Sequence, residues 1–226
     1  TGGYNIFIGN DAGFAVAHGS SNVVIGHQAF DAASGSHSGY VVMGASAMSA
    51  FNDPSADESV AIGNNALSTG VSFQSNVAVG TDALRYTHGS KNTGVGDGAG
   101  YSIESGANNT LVGWYAGAIS NAATYKVAIG YQAGQYDESG SYSTMVGTYA
   151  GQYATGSNNT FMGAYAGRGG TTGTPYSSGI NNVAIGAYAL DAFTTGFNNT
   201  ALGYDTLTGV TTGAHNTALG YQAGYR

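Results

Sequence analysis

Two apolar columns, two residues apart, recur thirteen times along the chain, and each pair is closed by a glycine. The glycines are Gly9, Gly26, Gly44, Gly63, Gly80, Gly96, Gly113, Gly130, Gly147, Gly163, Gly186, Gly203 and Gly220, with successive spacings of 17, 18, 19, 17, 16, 17, 17, 17, 16, 23, 17 and 17 residues. Three positions before the glycine stands a β-branched residue in every copy, from Ile6, Val23 and Val41 to Thr200 and Thr217. One position before it stands an aliphatic residue or Met. Side chains two apart share one face of a strand, and stiff β-branched groups suit a pleated surface. The pattern therefore predicts a short strand in each repeat with these columns on its buried face. The expected structural core is Ile8, Ile25, Ile62, Val79, Val112, Ile129, Val146, Ile185, Leu202 and Leu219.

The residue between the two columns is apolar as well, as at Phe7, Val24, Leu111, Met145 and Phe161. Continuous apolar runs mark strands of parallel sheets that are covered on both faces. Either the chain folds back over itself within each repeat, or other chains cover the second face.

The polar positions read as turn chemistry. Asn precedes the glycine by four positions in nine copies, and a further glycine lies seven positions upstream in nine. Both residue types reach positive φ, and Asn also bonds its own backbone. Ala stands three positions after the glycine in twelve copies, with Thr206 the exception, which marks a crowded corner. Next comes either glycine (Gly100, Gly117, Gly134) or a large apolar residue (Phe30, Leu67, Leu84). Length varies only beyond that point, so insertions map to one side of a stack. A fixed short period predicts an all-β repeat solenoid, a parallel β-roll of about 17 residues per coil. Residues 1–226 form a single array, roughly 60 Å long at ~4.8 Å per coil. The repeat runs to both ends without evident caps, so the chain is expected to be a fragment of a longer fibrous protein.

Composition narrows the function. The 39 glycines follow no collagen period, and only two prolines occur. Charged residues make up 8% of the chain, too few for a disordered segment of the usual kind. Five Lys and Arg against a net charge of −7 exclude a nucleic-acid partner. No apolar run is long enough to insert in a membrane as a helix, and no cysteine is present for disulfides or thiolate metal sites.

Segments such as "ESVAIGNNAL", "NNVAIGAYAL" and "HNTALGYQAG" resemble the head repeats of trimeric YadA-like adhesins. They are still more similar to repeat arrays of phage tail-fibre proteins, whose longer period fits better. The resemblance runs from Asn5 to Gly224. It implies a left-handed roll, three chains around a three-fold axis, and apolar strand faces packed at that axis. The 23-residue spacing before Gly186 departs from the pattern and is expected to form a protruding loop. The function implied is a structural and adhesive fibre segment, extracellular, on a virion tail fibre or a cell surface. The alternative is the receptor-binding head of a bacterial adhesin; outside this class stand an ice-binding solenoid and a catalytic one.

Candidate chemistry is sparse. The corner after the motif glycine carries Trp114, Tyr115, Tyr131, Tyr149, Tyr165, Tyr188, Tyr204 and Tyr221, which stacking would align in a ladder. Flat amphipathic rings suit a cell-surface glycan, and they equally suit packing between coils or chains. The five histidines share no spacing and read as surface residues, although a three-fold axis could bring three copies of one together. Asp53, Asp57 and Glu58, and likewise Asp137 and Glu138, read as solvated loop charge rather than a calcium site. The sequons at Asn108, Asn158 and Asn198 follow from the repeat's own turn residues. No nucleophile–base motif appears, so no catalytic residue, metal site or cofactor is expected and the chain is not read as an enzyme. "IGNNAL" matches the hexapeptide of β-helix acyltransferases, but only once per repeat. The threonines at 93, 110, 144, 160, 200 and 217 could form an ice-binding column, but their place on the strand points to burial.

Overall fold

The computed structural model describes residues 2–52, 58–70, 73–170 and 176–225. Among them there is no helix, and the chain is a parallel β-solenoid. Thirteen three-residue strands form one sheet in chain order, from Ile6–Ile8 and Val23–Ile25 to Thr200–Leu202 and Thr217–Leu219. Each residue pairs with its equivalent one coil on, as in Thr110↔Val127 and Val112↔Ile129. The long insertion leaves this register intact, with Thr160↔Val183 and Met162↔Ile185. Its residues 171–175 lie outside the described residues, so the expected loop is not placed there. Tyr176 and Ser177 pack back on the stack, and Ser177 bridges in parallel to Ala154.

The strand's inward face is the opposite of the one expected. Val24, Val42, Ala61, Leu111, Met145, Phe161 and Ala184, all from the middle column, are fully buried. The flanking columns point outward. Ile8 is 56% exposed, Ile129 39%, Leu202 42% and Leu219 73%, while Ile25, Ile62, Val79, Val112, Val146 and Ile185 are half-buried. The ten residues expected as core thus line an outer face. The reason is that a narrow coil admits one column from the strand and one from the opposite wall. The second wall is the position four after the glycine, where Phe30, Met48, Leu67, Leu84 and Leu190 are buried.

These two inward columns share one volume. Where the strand supplies Leu111, Met145 or Phe161, the far wall is Gly117, Gly151 or Gly167; where it supplies Ala61, Ala78 or Ala184, the far wall is Leu67, Leu84 or Leu190. A Cβ on Gly151 would stand 2.6 Å from Met145 Sδ. Where both positions are small, neighbouring coils fill the gap: a Cβ on Gly134 would stand 2.7 Å from Met145 Sδ, one coil on. This is close packing of the kind that protein interiors require.

The motif glycine is fixed by its backbone. Gly113 has φ +129°, and a Cβ there would lie 2.5 Å from Gly130 O of the next coil. Three further positions of the repeat hold left-handed angles, in many coils without glycine, for example Tyr115 (φ 50°), Leu190 (φ 52°) and Asn108 (φ 59°). Such angles are uncommon for these residues. They are held by bonds between coils, such as Gln132 N–H to Trp114 O at 2.9 Å and Tyr149 N–H to Tyr131 O at 2.9 Å.

The conserved spacing of Asn has a different basis from the turn chemistry expected of it. These asparagines keep negative φ; the residue before each is left-handed instead. Most of their amides are buried, and they bond chiefly to neighbouring coils; Asn159 Nδ2 also donates to Gly156 O of its own coil at 2.8 Å. Asn92 Oδ1 accepts the Asn109 main-chain N–H at 3.0 Å and its Nδ2–H at 3.0 Å, while Asn109 Nδ2 donates to Ala123 O at 2.8 Å. The same ladder runs through Asn159, Asn182, Asn199 and Asn216. Ser59 and Ser143 substitute with their hydroxyls.

Candidate functional site

The eight aromatic residues expected at the corner do form a ladder along the stack. Trp114 touches Tyr115 (centroids 4.4 Å) and Tyr131 (4.8 Å), and the series continues 131–149 (5.2 Å), 149–165 (5.1 Å), 165–188 (5.0 Å), 188–204 (5.9 Å) and 204–221 (5.6 Å). Tyr101 and Tyr86 extend it at the other end, at 6.3 Å and 5.0 Å. Sequence reasoning missed these two because they lie further along the corner. Gly98, at the position where Tyr115 stands, carries no ring, and Tyr101 supplies one.

Two adjacent positions feed this one ladder, and the ring geometry shows which. Rings from the same position stack in parallel: Trp114 on Tyr131 at 12°, Tyr165 on Tyr188 at 4°, Tyr204 on Tyr221 at 11°. Where the source switches position, the rings meet edge to face, with Tyr131–Tyr149 at 79° and Tyr188–Tyr204 at 74°. Both arrangements suit the ring quadrupole. The Arg168 guanidinium sits 5.2 Å from the Tyr165 ring centre, a cation–π contact. Burial and the Tyr131 hydroxyl raise the Tyr149 phenol above its usual range.

Ring faces in the middle of the ladder are covered by other rings, so edges and hydroxyls face water there. Trp114, Tyr131 and Tyr204 keep 42%, 42% and 48% of their surface exposed. Shorter stacks run beside the ladder: Tyr136–Tyr153–Tyr176, and Tyr125–Tyr142 at 5.1 Å.

One charged group is not where the sequence suggested. Asp137 is fully buried rather than solvated, and Lys126 is buried with it, Nζ to Oδ2 at 3.1 Å. Lys126 replaces one rung of the asparagine ladder, a signal that the alignment of repeats contains. Burial pushes the Asp137 carboxyl up to about 6 and the Lys126 amine down, with their mutual attraction opposing both shifts. His37 is also interior, boxed by Phe30, Tyr40 and Phe51, rather than a surface residue. Glu58 is exposed, while Asp53 and Asp57 lie outside the described residues. Among the described residues no group of three His, Asp or Glu side chains converges to hold a metal, and no helix is long and apolar enough to cross a membrane.

The outward strand face runs the length of the sheet. Its two columns are β-branched and aliphatic on all thirteen rungs, with no charged residue. The threonines at 93, 110, 144, 160, 200 and 217 belong to it, so they face outward rather than into the core as expected. No protein-family model matches the chain, and no curated protein or solved structure matches it either.

Proposed function

We propose that this chain is a spacer segment of an extracellular attachment fibre, a phage tail fibre or similar surface appendage, in which three copies pack around a three-fold axis. The outward strand face carries this reading. Thirteen rungs, each with two outward side chains over ~10 Å of strand, make a ribbon of roughly 600 Å², apolar but for its threonine hydroxyls and at the top of what monomers expose. A second copy repeats the same rungs at the same pitch, so side chains interdigitate along the whole length. Three copies close by symmetry and leave no such face open. The ladder then acts mainly as a stiffening spine, with its outward ring edges and hydroxyls, as at Trp114, Tyr131 and Tyr204, as the surface suited to a cell-surface glycan. A bacterial adhesin head would use the same assembly.

The test is Ile129→Asp combined with Ile185→Asp. Charge on this face blocks association and leaves the coil folded, because both side chains point away from the interior. A variant that assembles like the parent chain would contradict the reading. An ice-binding solenoid is the second reading, favoured by the exposed Thr110, Thr200 and Thr217 on a regular sheet. It requires the chain to be folded and monomeric.

A further inference from the structure

Lys126 stands where the coils on either side carry Asn109 and Ser143. Its main-chain N–H still joins the ladder, donating to Asn109 Oδ1 at 2.9 Å. Its ammonium end, however, reaches into the coil, 3.1 Å from Asp137 Oδ2, 2.8 Å from Ser120 Oγ and 2.7 Å from Asp137 O. Both side chains have no exposure. A dry ion pair is a weak source of stability, because lost hydration offsets the attraction. Neighbouring coils close this position with an amide or a hydroxyl and no charge at all.

We propose that Lys126 and Asp137 condense into an intramolecular amide, a covalent side-chain cross-link within one coil. The parts that such a step needs are in place. Nζ is the nucleophile and the Asp137 carboxyl carbon the electrophile. The Gly140 N–H donates to Asp137 Oδ1 at 2.7 Å and so stabilises the oxygen that becomes negative as the carbon turns tetrahedral. Ser120 Oγ donates to Gly117 O at 2.9 Å, which leaves a lone pair to accept from Nζ at 2.8 Å and hold the amine in place, and Nζ passes its proton directly to Oδ2, 3.1 Å away. Burial shifts both groups toward their neutral forms, the reactive pair of amine and acid. The site excludes water, which favours condensation over the reverse. The step balances without a co-reactant. The Nζ–Cγ bond forms, the Cγ–Oδ2 bond breaks, and Oδ2 leaves as water with the acid's proton and one from the amine. The remaining amide N–H keeps a carbonyl or hydroxyl partner nearby.

The experiment is mass spectrometry on the whole purified chain, unfolded before measurement. The expected mass is one water below that of the sequence. Trypsin then fails to cut after Lys126 and releases a single peptide from Asn92 to Arg168. Chymotryptic cleavage at Tyr131 or Tyr136 leaves the two flanking segments joined through residues 126 and 137. Asp137→Ala restores the sequence mass. Because that variant leaves the Lys126 ammonium buried without its carboxylate, Ser120→Ala is measured beside it; it retains both reacting groups and is expected to lose water at least tenfold more slowly after refolding. A folded parent chain that keeps its sequence mass and is cut at Lys126 overturns the proposal. So does a lost water with the two chymotryptic segments separable, which would place the dehydration elsewhere.

Discussion

Leu111 and Gly117 occupy one space from opposite walls of a coil: a Cβ on Gly117 would lie 2.5 Å from Leu111 Cδ2. Ala184 and Leu190 fill the equivalent space the other way round. Gly117 has φ +55° and Leu190 φ +52°, so backbone angle does not decide which residue stands there; volume does. Gly117→Leu alone should cost about 1–3 kcal/mol through overpacking. Adding Leu111→Ala should recover most of that, a coupling of about 1–2 kcal/mol in a double-mutant cycle read by urea denaturation. Additive losses would refute the shared volume.

The buried amide ladder makes a second prediction. Asn182 Oδ1 accepts the Asn199 main-chain N–H at 3.0 Å, and its Nδ2 donates to Gly196 O at 2.9 Å. Asn182→Ala leaves both partners buried and unpaired, at about 1–3 kcal/mol each. Asn182→Ser should cost less, since Ser59 and Ser143 already accept the next coil's N–H at 3.1 Å and 3.2 Å. Thermal unfolding that ranks Ser below Ala would count against this.

Tyr165 is stacked between Tyr149 and Tyr188 with Arg168 against it. Removing the ring in Tyr165→Ala should lower stability by about 1–3 kcal/mol, from two aromatic contacts of about 0.5–1.5 each. It should not change the assembly state, because the ring lies at the corner and not on the strand face. Dissociation of the assembly by this variant alone would show that the ladder lies between chains.

Arg168 and Asp191 form an ion pair at 3.0 Å across the coil that carries the long insertion. Burial raises the Asp191 carboxyl above its ordinary range although Arg168 pulls it down. A raised folded pKa means the folded state holds this proton where the unfolded chain has released it. The contribution to stability is therefore present at low pH and is lost as pH rises through the folded value. Asp191→Asn should flatten this part of the stability–pH curve just above the ordinary carboxylate range. An unchanged curve would exclude Asp191 as its source.

The period, strand positions and parallel stacking were legible because thirteen copies repeat the same residues at equivalent sites. The aromatic ladder was legible for the same reason, at Trp114 through Tyr221. The direction of the strand faces was not. Val127 and Ile129 are as apolar as any core pair, and hydrophobicity alone cannot tell an inward face from one awaiting another chain. Only the coil's width decides, admitting Ala128 and excluding its neighbours. The asparagines misled because Asn serves turns and amide ladders alike, and the ladder depends on the coil above. Asp137 read as loop charge because its partner, Lys126, lies eleven residues away.

The apolar outward face, running from Ile6 and Ile8 to Thr217 and Leu219, is the centre of this account. Light scattering on the recombinant chain tests it most directly. A single species of about three times 22.6 kDa is the predicted result. A well-folded species at the mass of one chain would contradict it and turn attention to the exposed threonines.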